Sequence, residues 1–431
     1  MSTSIPDNEV IIVGGGAGGA ELAATLGRRF GGSRMNVTLV DIARNHLWKP
    51  RLHELAAGLL GAGEDETSYL ALARMNHFHY RLGALSALDP VNKTITISAV
   101  ADSAGNPFLA ERQLRYDTLV LAFGSQVNDF GVPGVVEHCH LLDSGEQALT
   151  FQNCVLEQSV RVVDGLADTL RVGIVGAGAT GVELAAEIHH AISAMYRFGR
   201  LMPVDKLDIT IIDMASRVLP GCDPATSAFA AKTLGRLGVR THLGASVQKV
   251  TAEGFTLKDG SVIPCQLKVW ASGIVGRPIV TQLAGLEVDR SRRIVCDDHL
   301  RCNGIESVFA IGDCASILNP TTQRSLPATA QVAHQQASYL ARALRPGAHG
   351  DPGPFKYRPR GSLVSLGTEP AAGEIPITSN SQLIFDGRIP KLFYVSLQLM
   401  HRATLIGWGR AIALLLADRL RRKLAPPIKL H

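Results

Sequence analysis

Residues 12–26 read IVGGGAGGAELAATL, and residues 174–188 read IVGAGATGVELAAEI. Ten of the fifteen aligned positions are identical. Each copy follows a short apolar run, EVIIV at 9–13 and RVGIV at 171–175, and each opens a helical pattern. The glycines fall at Gly14, Gly16 and Gly19 in one copy and at Gly176, Gly178 and Gly181 in the other. Between a strand and a helix, the first glycine permits the tight turn and the second lets backbone approach a pyrophosphate. The third lets helix and strand close together. The pyrophosphate then rests on the positive end of the helix. The next strand of each copy ends in an acid: NVTLVD ends at Asp41 and LDITIID at Asp213. A carboxylate there accepts hydrogen bonds from ribose hydroxyls. One such turn is weak evidence, but two, each with its strand-ending acid, predict two dinucleotide sites.

Working outward, KTITI at 93–97 and DTLVLA at 117–122 read as strands of the first unit. LKVWASG at 267–273 reads as a strand of the second, running into Gly273. VFAIGDCA at 308–315 and the helical QVAHQQASYLARAL at 331–344 resume the first unit. The fold class expected is α/β, with two Rossmann-like dinucleotide-binding domains, the second inserted in the first. The expected divisions are 1–165 with 301–385, then 166–300, then a helical C-terminal segment, 386–431. A chain of 431 residues exceeds the size of a single core, which agrees.

Composition narrows the class. The net charge of +5 comes without an aromatic-interleaved basic tract, so no nucleic acid partner is expected. The seven cysteines are scattered, form no CxxC pair and have no zinc-ligand spacing, so no metal is expected. The N-terminal MSTSIPDNE has neither an apolar core nor arginines, unlike a signal or transit peptide. No run of 18 apolar residues is present, so no spanning helix is expected.

Two dinucleotide sites on one chain suit a flavin and a nicotinamide, because hydride passes between them. The charge of Asp213 would repel a 2′-phosphate and favours NADH, although Arg217 stands near enough in sequence to partner a phosphate. Glu21 and Glu183 occupy equivalent positions in the first turns of their helices, where the dipole favours a carboxylate. For Glu21 that explanation suffices on sequence alone, facing cofactor phosphate or its solvent shell.

Further landmarks carry a resemblance: HLWKPRLHELAAG at 46–58, VWASGI, FAIGDCA, AQVAHQQ, GSLVSL and the tail RLRRKLAPPIKLH. With the two glycine turns they resemble, over essentially the whole chain, the type II NADH dehydrogenases. These are non-pumping NADH:quinone oxidoreductases of the flavoprotein disulfide-reductase-like superfamily, and the likeness is nearest to enterobacterial respiratory enzymes. The resemblance implies non-covalent FAD on the first turn and NADH as substrate on the second. It implies that Gly124, in Leu121-Ala122-Phe123-Gly124, abuts the flavin nucleotide, with Phe123 departing from the small residue usual there. It places Asp313 on the ribityl chain and Gly273 beside the nicotinamide nucleotide. It sets Glu183 near the reacting rings, as an orienting or proton-routing group, and brings Gln331, Gln335 and Gln336 to meet flavin and quinone. His334 reads as an ordinary surface or packing histidine.

The tail segment IGWGRAIALLLADRLRRK at 406–423 shows an apolar stripe of Leu405, Trp408, Ile412, Leu415 and Leu416. Too short to span, such a helix lies in the interface plane or forms a packing or homodimer contact. The resemblance favours peripheral attachment to the cytoplasmic face of a bacterial inner membrane. The partners implied are NADH, a membrane quinone (ubiquinone or menaquinone) and the membrane surface. Rival readings are a sulfide:quinone oxidoreductase, opposed by the lack of cysteines beyond Cys314, and a soluble NADH-dependent ferredoxin or rubredoxin reductase, opposed by the apolar tail.

Overall fold

The structure is a computed structural model that describes residues 8–424 apart from 33, 62–65, 200–201, 321, 348–351, 368, 370 and 379–380. Strand Glu9–Val13 is the middle of a parallel five-stranded sheet, flanked by Asn36–Asp41 and then His79–Leu82 on one side. On its other side lie Thr118–Leu121 and Val308–Ala310. The burial of Val10, Ile11, Ile12 and Val13 shows why these runs lack alternation: helices or loops cover both faces.

The second sheet repeats the plan. Leu170–Val175 pairs in parallel with Leu207–Asp213, which pairs with Arg240–Leu243. Its other neighbour is Leu267–Trp270, edged by His140–Leu141. Each unit also carries a three-stranded antiparallel sheet, built from residues 85–115 in one and 247–264 in the other. Strands Ser125–Val127 and Ile274–Gly276 pair antiparallel and join the two units.

Two expected boundaries shift. Strand His140–Leu141 already belongs to the second sheet, and helix Gly145–Val163 buries Phe151 and Val155 in the second core. The chain therefore enters the second unit before residue 165, because the apolar face of that helix has its partners there. Residues 362–387 form a three-stranded antiparallel sheet of their own, Ser362–Val364, Ala371–Thr378 and Ser381–Gly387. Val364 and Leu366 bury themselves in the second core rather than the first.

Helix Arg388–Ile406 then returns to the first unit, burying Leu405 in its core. Gly407, at φ +85°, breaks the chain into a second helix, Trp408–Leu424. Leu405 consequently does not share the stripe expected of it. Ala411 is buried, whereas Trp408, Ile412, Leu414, Leu416 and Leu420 are 45–60% exposed. No helix among the described residues is long and apolar enough to cross a membrane.

Candidate active site

The two glycine turns have nearly the same geometry. Gly14 and Gly176 adopt φ of +105° and +117°, a region closed to residues with a Cβ. Their N–H groups donate at 2.8 Å to Val40 and Ile212. A Cβ on Gly19 would stand 1.9 Å from the Gly14 carbonyl oxygen, and one on Gly181 would stand 2.0 Å from that of Gly176. No other residue fits at either place. A Cβ on Gly16 or Gly178 would meet nothing within 4 Å, so the middle of each turn is open for a phosphate to approach.

The strand-ending acids brace these turns. Asp41 accepts the N–H of Gly15 at 2.5 Å and of Ala43 at 2.7 Å. Asp213 accepts those of Ala177 at 2.6 Å and Ala215 at 2.7 Å. Each carboxylate retains lone pairs for a ribose hydroxyl. Arg217 donates to the carbonyls of Pro220 and Cys222 at 2.9 and 2.8 Å, which occupies part of its guanidinium within its own loop.

A polar cradle lies between the first turn and residues 311–313, a motif that follows strand Val308–Ala310. Gly124 and Gly312 both sit at φ +72°. Asp313 accepts the Ser125 hydroxyl at 3.2 Å, and its carboxyl is pushed up by burial. Lys49 shares this environment with Asp143, Asp313 and Asp41, and burial holds its ammonium below the usual range. Buried Gln336 accepts the Gly312 N–H at 2.7 Å, fixing the motif to helix Ala330–Ala343. In the second unit Gly273 adopts φ +69°, and a Cβ there would strike the Phe130 ring at 2.5 Å. The carbonyl of Phe123 accepts Arg277 Nε at 3.2 Å, so the unexpected side chain leaves that backbone position in use.

Gln331 and Gln335 share a face of their helix, and both engage the segment that crosses it. Gln331 Oε1 accepts the Tyr357 hydroxyl at 2.7 Å and the Arg360 N–H at 2.8 Å, while Nε2 donates to Gly361. Gln335 exchanges two hydrogen bonds with the Arg358 backbone, at 2.8 and 3.0 Å. These amides order residues 357–361.

The twin glutamates diverge. Glu183 is buried, accepts the Ser365 N–H at 2.9 Å and lies 3.4 Å from His53 Nδ1. Burial, reinforced by Glu187 and Glu54, drives its carboxyl up to about 8 against the Ser365 hydrogen bond, and burial drives His53 down to about 4. The contact therefore joins a neutral acid to a neutral imidazole, and His53 Nε2 is buried with no hydrogen-bond partner.

Glu21 is not at a solvent shell. It is 4% exposed and bonded to two histidines, His334 Nδ1 at 2.5 Å and His401 Nδ1 at 2.6 Å. Burial opposes its ionisation, but those two partners prevail and hold the carboxyl below the ordinary value. The Glu21 hydrogen bond raises His334 in turn, so this histidine is a partner of a buried acid rather than an idle surface residue. Residues His46, His53 and His401 carried no signal as isolated histidines; only the long-range return of residues 388–406 brings His401 to Glu21.

The cysteines form no disulfide. All seven are free thiols, and burial pushes Cys139 and Cys314 up to about 12 and Cys265 up to about 11. Such thiols are poor nucleophiles.

Comparison with known proteins agrees with this geometry. Residues 8–337 match the family model for pyridine nucleotide-disulphide oxidoreductases. A type II NADH:quinone oxidoreductase of Haemophilus influenzae is 35% identical, over 98% of this chain and 99% of its own length. A second, from Mycobacterium tuberculosis, is 29% identical over 95% of this chain and 87% of its own. The structure of Plasmodium falciparum NDH2 in complex with NADH superposes with a TM-score of 0.82, covering 98% of this chain and all of that one, at 19% identity. A sulfide:quinone oxidoreductase from Aquifex aeolicus shares the fold with a TM-score of 0.72 at 17% identity. The doubled turn, the paired acids and the full-length likeness together make this chain a member of the pyridine nucleotide-disulphide oxidoreductase family and, within it, of the FAD-dependent type II NADH:quinone oxidoreductases.

Proposed function

We propose that the two turns divide the work, with FAD held on the Gly14–Gly19 turn and NADH received on the Gly176–Gly181 turn. The observation that carries this reading is the duplicated geometry itself: two open glycine turns, each braced by a strand-ending acid, on two separate parallel sheets. The first turn, Asp41, Gly124 and Asp313 would hold the permanent cofactor. Gly273 and Asp213 would serve the visiting nucleotide, with Asp213 excluding a 2′-phosphate. FAD, when bound, accepts hydride from NADH and returns the two electrons to quinone. Overall, NADH, one proton and a quinone become NAD⁺ and a quinol.

The chain's own groups position and protonate. A carboxyl kept protonated near neutrality, as Glu183 is, can donate a hydrogen bond to a nicotinamide amide or release its proton during turnover. Gln331 and Gln335, by ordering residues 357–361, shape the approach of quinone along helix Ala330–Ala343. The exposed stripe of Trp408, Ile412, Leu416 and Leu420 recurs every four residues, and it is the face we assign to the lipid surface. The expected setting is peripheral attachment at the cytoplasmic face of a bacterial inner membrane. The test is an anaerobic titration of the holoenzyme: NADH should bleach the flavin and a quinone should restore its colour. A flavin that NADH leaves oxidised would reject the division of the turns.

A further inference from the structure

The site geometry leaves one buried cluster without a role. Glu21, on helix Ala17–Phe30, joins His334 and His401, which lie 313 and 380 residues away in sequence. His401 continues the line: its Nε2 is 2.8 Å from His46 Nε2, and its ring stacks on Trp48 at 5.6 Å. His46 Nδ1 in turn meets the Gly15 carbonyl at 2.8 Å. Gly15 stands inside the first glycine turn, and its N–H is one of the two that Asp41 accepts. A hydrogen-bonded chain thus runs from Glu21, through His401 of the tail helix and His46, to the backbone of the turn.

Its proton placement follows from the acceptors. The Gly15 carbonyl can only accept, so His46 Nδ1 carries the hydrogen. Burial, with the His401 charge adding to it, pushes His46 down to about 3, so the ring is neutral and its Nε2 offers a lone pair. His401 Nε2–H must donate to that lone pair. The other nitrogen of His401 faces the carboxylate of Glu21, and a donor is required there too. His401 is thus clamped between the Glu21 carboxylate at 2.6 Å and the His46 ring at 2.8 Å. Charge-assisted hydrogen bonds of this kind are the strong ones. The charged groups around the cluster are otherwise engaged: Arg402 pairs with Asp418 at 2.8 Å, Arg51 with Glu54 at 2.7 Å, and Arg28 donates to the Thr404 carbonyl. Arg360 bears on His334 from the crossing segment. Tyr69 supplies the other donor to the Gly15 carbonyl, at 2.6 Å.

We infer that His401 and His46 are positioning residues through which the tail helix holds the FAD-binding turn in shape, so that cofactor retention is coupled to docking of the tail. The inference rests on the assignment of FAD to the first turn. Coupling of this kind is reciprocal: whatever seats the tail tightens FAD, and FAD tightens the tail by the same factor. The tail has further anchors that do not pass through the turn. Asn76 donates to the Leu405 carbonyl at 2.9 Å and Arg28 donates to that of Thr404. Losing the His401–His46 contact therefore leaves the tail helix attached while uncoupling it from the turn.

The experiment follows FAD loss from diluted holoenzyme by the rise in flavin fluorescence, in His401→Leu, His46→Leu and the double variant. His401→Leu is expected to release FAD about tenfold faster, the scale of one strong hydrogen bond. His46→Leu should do the same, and the double variant should be no faster than His46→Leu alone, because both break one line. His46→Asn keeps a donor for Gly15 but cannot reach His401. In that background His401→Leu should change nothing, and this pair serves if His46→Leu does not fold. A wild-type rate in His401→Leu, or a double-variant rate equal to the product of the single effects, would overturn the coupling. NADH binding weakened in His401→Leu with FAD retention unchanged would instead reject the assignment of the turns, and the FAD coupling with it.

Discussion

Replacing Glu183 with glutamine tests whether this acid is neutral in the folded chain. Its ordinary value is 4.5 and burial raises it to about 8. A carboxyl raised on folding binds its proton more tightly in the native state. Its stability contribution is therefore greatest below 4.5 and is lost as pH rises towards 8. The interval, at 1.36 kcal/mol per pH unit, amounts to roughly 5 kcal/mol. At about 2–4 °C per kcal/mol for a domain of 150–250 residues, that is of order 10 °C in the unfolding midpoint. Glutamine copies the protonated acid: its oxygen accepts the Ser365 N–H and its amide faces His53 Nδ1, with no ionisation at any pH. The assay is the thermal midpoint of both proteins between pH 5 and 8.5. Glu183→Gln should lie close to wild type at pH 5, exceed it progressively as pH rises towards 8, and hold a constant advantage beyond. Parallel curves would refute the buried neutral acid.

Three other outcomes follow from named contacts. Gly181→Ala puts a Cβ 2.0 Å from the Gly176 carbonyl oxygen, so the KM for NADH should rise at least tenfold while the purified protein keeps its FAD; loss of FAD with an unchanged KM would reverse the turn assignment. Asp213→Ser should narrow the kcat/KM preference for NADH over NADPH by about tenfold or more, and unchanged discrimination would remove Asp213 from that role. Ile412→Glu with Leu416→Glu places charge on the exposed stripe and should abolish co-sedimentation with phosphatidylglycerol-containing vesicles; undiminished pelleting would show that the stripe meets another surface, such as a second copy of the chain.

The readable parts of the sequence were those fixed by local sterics. Gly14, Gly19, Gly176 and Gly181 stand where a Cβ is forbidden, so their spacing alone located both turns and the strand ends at Asp41 and Asp213. Helix Ala330–Ala343 was likewise visible from its helical pattern. What stayed hidden depends on which remote surfaces meet. Glu21 looks like any acid near a helix start until His401 and His334 close over it. Leu405 looks like part of one amphipathic stripe until Gly407 turns the chain, placing it in the core and Trp408 outside. Helix Gly145–Val163 precedes the second turn yet packs beneath its sheet, because burial follows apolar partners rather than chain order. Gln331 and Gln335 are expected from the resemblance to meet flavin and quinone, while the structure shows their amides bonded to residues 357–361.

The central claim is that one chain passes two electrons from NADH on the second turn, through FAD on the first, to quinone. Anaerobic stopped-flow spectroscopy of the holoenzyme separates the two halves. NADH alone should reduce the flavin in a single fast phase, and a quinone added afterwards should reoxidise it as fast as steady-state turnover requires. Reoxidation slower than turnover, or flavin reduction that occurs only when quinone is already present, would contradict the account.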